Sequence, residues 1–195
     1  MTRCEQQIEF LMEIDKLKSV ERQTLLVDCS RRENSAEHSW HLALMAQVLA
    51  EHAVEPVDVG HAAQMVLAHD LVEIDAGDTY VYDAVGNQDK AERELRAADR
   101  IFSLLPTEQA AKLRALWDEF EAVATPESRF ANALDRLQPL LNNWRSGGAG
   151  WRGRNIRRTQ VLQRMEPVRL GLPALWPLVI RILDEASAAG WLLEE

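Results

Sequence analysis

A chain of 195 residues with 47% hydrophobic and 27% charged residues has enough apolar surface for one stable core and too little charge for general disorder. Its net charge of -9 repels other polyanions, which argues against a nucleic-acid partner. Two cysteines, Cys4 and Cys29, build no disulfide framework. Glu5, Glu9 and Glu13 interrupt the apolar pattern where a signal peptide would need an unbroken run, and no stretch has the length of a membrane span, so the expected setting is the reducing cytoplasm with no membrane partner.

In chain order, Ile8, Leu11, Met12, Ile14, Leu17 and Val20 recur at three- and four-residue steps, which predicts an amphipathic helix over 5–20. Residues 28–34 are polar and turn-prone, and Ser35 is placed to cap a second helix over 36–53. Pro56 and Asp58 open a third that runs to about residue 74. The stretch 77–89, with two glycines and Tyr80-Val81-Tyr82, loses the helical period and reads as a long loop. Helices resume over 90–105, 107–123 and 126–144, broken by Pro106 and by Thr125-Pro126. Residues 146–150 read as a flexible joint, followed by a short basic helix near 156–165 and an amphipathic one over 173–189 that Gly190 ends. With no repeat and no useful strand alternation, the fold class is all-α, in one domain over 1–195.

His69 and Asp70 sit near the end of the third predicted helix. As helix neighbours they point about 100° apart, so they serve one ion only at a helix end or an irregular turn. Alone, the pair reads as a polar helix terminus. His38, in the first turn of the second helix, and Asp135, set among Ala133, Leu134, Leu137, Leu140 and Leu141, add to it. A buried carboxylate in that company needs a partner. A cation is one; Arg129, Arg136 or water is the other, and helix geometry does not choose between them.

The segments Glu33-Asn-Ser-Ala-Glu-His38-Ser, His69-Asp70-Leu-Val-Glu73-Ile-Asp-Ala-Gly77-Asp78 and Asn132-Ala-Leu-Asp135-Arg-Leu resemble the H…HD…D signature of HD-superfamily metal-dependent phosphohydrolases. The likeness leans to the branch of bacterial 5'-deoxynucleotidases and oxetanocin-like enzymes and covers roughly residues 5–145. It implies an HD helical bundle with a C-terminal helical extension over 151–195. It also implies that His38, His69, Asp70 and Asp135 hold one divalent ion: Mn, Co, Fe, Ni, Zn or Mg. By the same resemblance Glu73 and Asp78 activate water and handle the leaving group, and Arg22 and Arg31 bind substrate.

The implied reaction is metal-assisted attack of water on a nucleoside 5'-monophosphate or similar small phosphomonoester, by a homodimer. A nucleoside polyphosphate or alarmone substrate, and a non-catalytic metal-binding scaffold, are the alternatives. Two features narrow the resemblance. No histidine follows His69, so the extra ligands of dinuclear HD proteins are absent and one metal is expected. The tryptophan that deoxynucleotidases place after the first arginine is replaced by Gln23, which leaves the sugar preference open.

Outside these motifs, Trp40 reads as a packing residue and His52 and His61 as solvent-facing. The arginine-rich stretch 145–158 reads as a surface hinge that reaches a partner subunit, and the last helix as a core closure or dimer face.

Overall fold

A computed structural model describes residues 1–79, 86 and 88–194. Among them the chain is helical apart from a two-stranded antiparallel ribbon, in agreement with the all-α class. Helix α1 (Arg3–Ile14) carries a capping box from Thr2 and Glu5 and passes into a 3₁₀ turn at Asp15–Ser19. The ribbon follows as β1 (Glu21–Leu25) and β2 (Arg32–Asn34). The sequence reading missed it because strands this short leave almost no alternation to detect.

Helix α2 (Ser35–Leu49) is capped by Asn34, whose side chain accepts from the Glu37 amide. Ser35 is therefore not the cap; its hydroxyl is turned inward. Helix α3 (Val59–Ala68), capped by Asp58, tightens into a 3₁₀ turn at His69–Val72 before α4 (Glu73–Ala76). Gly77, at φ 73°, ends α4 in a backbone region costly for other residues. The predicted loop over 77–89 falls largely on residues 80–85 and 87, which lie outside the described set.

Three helices follow: α5 (Lys90–Phe102), α6 (Thr107–Ala122) and α7 (Pro126–Arg145). The C-terminal part forms α8 (Arg158–Arg164), α9 (Glu166–Gly171) and α10 (Trp176–Ala188). Two apolar clusters hold these elements. The larger joins α2, α3, α7, α9 and α10 through fully buried Leu42, Met65, Phe130, Leu134, Val168 and Ile182. Each such side chain contributes about 1.5–3 kcal/mol by leaving water. The smaller joins α1 and α5 to Leu71 and Val72. The 3₁₀ turn at His69–Val72 thus begins beside one cluster and ends inside the other.

Several surface expectations change. Trp40 is 60% exposed, so it does not pack in the core. His61 is half-buried, with Nε2 2.7 Å from Glu119. The arginine-rich stretch is no hinge: Trp151 and Ile156 are buried, and backbone bonds from Arg158 to Leu193 and from Leu193 to Ile156 tie it to the C-terminus. No helix is long and apolar enough to cross a membrane.

Candidate metal and phosphoryl site

His38 comes from the first turn of α2, His69 from the 3₁₀ turn and Asp135 from the middle of α7. One ligating atom from each lies within 4.8 Å of the other two, and all three residues are buried. Both imidazoles use Nδ1 to fix their rings. His38 Nδ1 lies 3.1 Å from Gln138 Oε1, and His69 Nδ1 lies 2.7 Å from the Val66 carbonyl. The Gln138 amide nitrogen donates to Glu33 Oε1 at 2.6 Å, which leaves Oε1 of Gln138 to accept from the imidazole.

Each Nε2 then faces Asp135 Oδ1, at 3.0 Å from His38 and 3.8 Å from His69. His69 Nε2 also lies 2.9 Å from Asp70 Oδ1, yet it is buried with no hydrogen bond. Lone pairs converging on carboxylate oxygens away from water require a shared positive charge, either protons or a metal ion. Two imidazole nitrogens with carboxylate oxygen form a donor set that suits a divalent transition metal. The residues fit the ion.

Asp70, the fourth predicted ligand, is not among the three convergent residues. Its Oδ2 accepts from Arg22 Nη1 at 2.9 Å while Oδ1 faces His69. Arg22 projects from β1 and also lies 3.7 Å from Glu33 and 4.0 Å from Asp135. Glu73 is buried and accepts the Ser35 hydroxyl at 2.6 Å. Asp78 lines the same cavity of about 300 Å³ as Arg22, Asp70, Glu73 and Asp135. The structure does not bring Arg31 to this cavity: it is exposed and grips Glu37 at 2.8 Å.

Burial pulls the His69 imidazolium down, but Asp70 and Asp135 outweigh it and leave His69 pushed up to about 10. Burial raises Asp70 while His69 and Arg22 bring it down to about 2. Asp135 is likewise held well below the usual carboxylate range, burial being overcome by Arg136, His38 and His69. Glu73 goes the other way, to about 8, through burial and the Asp70 charge. Asp78 is raised, chiefly by burial.

These directions fix a stability profile for the metal-free protein. The contributions of His69 and Glu73 are complete below their ordinary 6.5 and 4.5 and are lost as pH rises through about 10 and about 8. Those of Asp70 and Asp135 are present above the ordinary 3.8 and are lost in acid. Melting in a chelating buffer is expected to weaken from pH 6.5 towards 10, and a divalent ion to restore the loss. A melting temperature that does not change over that range would contradict the arrangement.

Glu33 and Gln138 escaped the sequence reading. Gln138 follows Asp135 by one helical turn, so a glutamine on the same apolar face was the available signal. Gln138→Leu removes the acceptor that fixes His38 and leaves Glu33 buried without its amide donor. Metal affinity measured by calorimetry is expected to fall by about 10–100-fold. Unchanged affinity would remove Gln138 from the site.

The chain matches the HD domain family over residues 14–176. It is 28% identical over 135 residues to human 5'-deoxynucleotidase HDDC2, covering 69% of this chain but only 65% of that relative's length. It is 50% identical to a predicted metal-dependent phosphohydrolase from Magnetospirillum magnetotacticum, whose crystal structure superposes with a TM-score of 0.92 over 97% of this chain and 95% of that one. A conserved hypothetical protein from Pyrococcus furiosus, 22% identical, shares the fold with a TM-score of 0.65 over 93% of this chain and 99% of its own. The chain belongs to the HD domain family.

Proposed function

We propose that this protein is a metal-dependent phosphohydrolase that cleaves a small phosphomonoester, a nucleoside 5'-monophosphate, by attack of water on phosphorus. The observation that carries the reading is the convergence of His38 and His69 Nε2 on Asp135, beside buried Asp70 and Glu73. His38, His69 and Asp135 would hold one divalent ion, with Asp70 adjoining. Such an ion supplies positive charge for the phosphoryl oxygens and eases deprotonation of the attacking water.

The chain's own groups divide the rest of the work. Glu73, buried and raised to about 8, accepts the proton of the water and is held in place by Ser35. Asp78 lines the same cavity, with its proton affinity raised chiefly by burial, and is the group to deliver a proton to the leaving oxygen. Arg22 already spans Asp70, Asp135 and Glu33, so it stands where it can meet phosphoryl oxygens as well.

The relatives support this chemistry: HDDC2 is named as a 5'-deoxynucleotidase, and the Magnetospirillum protein as a predicted metal-dependent phosphohydrolase. The test is phosphate release from nucleoside mono-, di- and triphosphates and from sugar phosphates, in the presence of Mn²⁺, Co²⁺ or Mg²⁺. Release from monophosphates is expected. Cleavage confined to di- and triphosphates would assign a polyphosphate substrate instead, and metal binding with no cleavage would leave a scaffold.

We further infer a homodimer. The apolar face of α10 is buried in the core, so it is not the dimer face. Trp40, Leu44 and Val48 instead form an exposed stripe at four-residue steps along α2. Light scattering should give a dimer mass for the native chain and a monomer mass for Trp40→Glu. An unchanged mass in the variant would remove this face.

A further inference from the structure

Arginine gains nothing near the start of a helix, where its charge meets the positive end of the backbone dipole, yet Arg93 is the fourth residue of α5. Aspartate is a good residue to precede a helix, yet the Asp89 side chain caps no amide of α5. Its Oδ1 accepts from Arg93 Nε at 2.9 Å instead. Two local preferences are given up side by side, and the guanidinium is what is held in place by it.

The other donors of Arg93 reach back along the chain. Nη1 donates to the carbonyl of Ala76, the last residue of α4. Nη2 donates to Thr79 Oγ1 at 3.1 Å and to the Gly86 carbonyl at 2.9 Å. Asp78 therefore stands between two residues that the same guanidinium grips. The base of this clasp is firm: Arg93, Ala97 and Ile101 follow at four-residue steps on one face of α5, and Ala97 and Ile101 are buried in the cluster that contains Val72 and Ala76. Asp78 itself lines the cavity of the candidate site with Arg22 and Asp70, whose charges act on its carboxylate.

We propose that Arg93 is the residue that positions Asp78 for the leaving oxygen, by fixing the backbone on both sides of it. This role rests on the phosphohydrolase reading, because that reading gives Asp78 its task. Arg93 does not line the cavity and bonds to none of His38, His69 and Asp135, so its effect on the reaction passes through Asp78. A lysine is no substitute. Its ammonium is one point on a flexible stem, whereas the guanidinium is a planar fork whose N–H groups reach separate acceptors at once. Displacing a reacting group by about 1 Å costs about 100-fold in rate.

The test compares the wild type with Arg93→Ala, Arg93→Lys, Asp78→Ala and the double variant Arg93→Ala with Asp78→Ala, each with Mn²⁺ and a nucleoside 5'-monophosphate. Both Arg93 variants are expected to lose about 100-fold in kcat with little change in KM, and to keep the metal affinity of the wild type. In the Asp78→Ala background the Arg93 substitution is expected to cost nothing further, because a residue that acts through Asp78 has nothing left to position. Arg96→Ala, which removes an exposed pair with Glu92 on the same helix, is expected to leave turnover unchanged. A second readout needs no turnover. Hydrogen exchange at the Gly77 amide, which donates to the Glu73 carbonyl at 2.8 Å, is expected to quicken by about 5–10-fold in Arg93→Ala. Full turnover in Arg93→Lys, losses that multiply in the double variant, or loss of metal together with turnover would each overturn the proposal. No phosphate release by the wild type would sink the hydrolase reading instead. The exchange rate then decides alone whether Arg93 holds the segment, and an unchanged rate refutes the clasp.

Discussion

Asp135→Ala is expected to abolish divalent-metal binding and to destabilise the metal-free protein. The Asp135 carboxylate is the common point of the cluster: Oδ1 faces both imidazoles, and Oδ2 lies 3.1 Å from Arg136. Loss of an outer partner lowers metal affinity about 10–100-fold, so loss of the residue on which both rings converge should exceed about 100-fold. Breaking a buried charge pair from one side costs about 3–5 kcal/mol, because the partners keep their desolvation penalty and lose their compensation. Asp135→Asn, which keeps the shape, separates the loss of charge from the loss of packing. Calorimetry with Mn²⁺, Co²⁺ and Zn²⁺ reads the first effect and urea unfolding the second. Wild-type metal affinity in a folded Asp135→Ala protein would refute the cluster as a metal site.

The helical class, the apolar setting of Asp135, and the need for an irregular turn at His69-Asp70 were legible in the sequence for physical reasons. Apolar spacing records which face of a helix is buried, and an aspartate on such a face announces an unmet electrostatic need. Adjacent residues diverging by about 100° cannot share an ion on a regular helix, and the 3₁₀ turn at His69–Val72 supplies the irregularity.

What stayed hidden depends on contacts between distant segments. Glu33 and Gln138 meet across 105 positions, and no local pattern encodes that pairing. Arg31 and Arg22 look alike in sequence, yet the ribbon turns Arg22 inward and leaves Arg31 with Glu37. The stretch around Trp151 read as a loose joint because glycines signal freedom unless something binds their amides, and here the Asn143 side chain does. Pro139 is a subtler case. Lacking an N–H, it leaves the Asp135 carbonyl without its usual helical donor, at the very residue on which the imidazoles converge.

Glu73→Gln is expected to keep the metal and lose the reaction. Glu73 stands outside the three convergent residues. Its carboxylate accepts the Ser35 hydroxyl, and a glutamine amide oxygen preserves that bond. Folding and ion affinity should therefore change far less than in Asp135→Ala. The group that changes is the proton acceptor. Burial and the Asp70 charge raise its proton affinity in the metal-free protein, so a proton taken from water would be held there more tightly than on an ordinary carboxylate. Removing a general base of this kind lowers turnover by about 10²–10⁴-fold, and the pH limb that reports its ionisation should vanish from the rate profile. The two measurements separate the possible roles. Loss of metal together with turnover would make Glu73 a ligand, whereas full turnover in the variant would leave Asp78 as the remaining carboxylate able to serve the water.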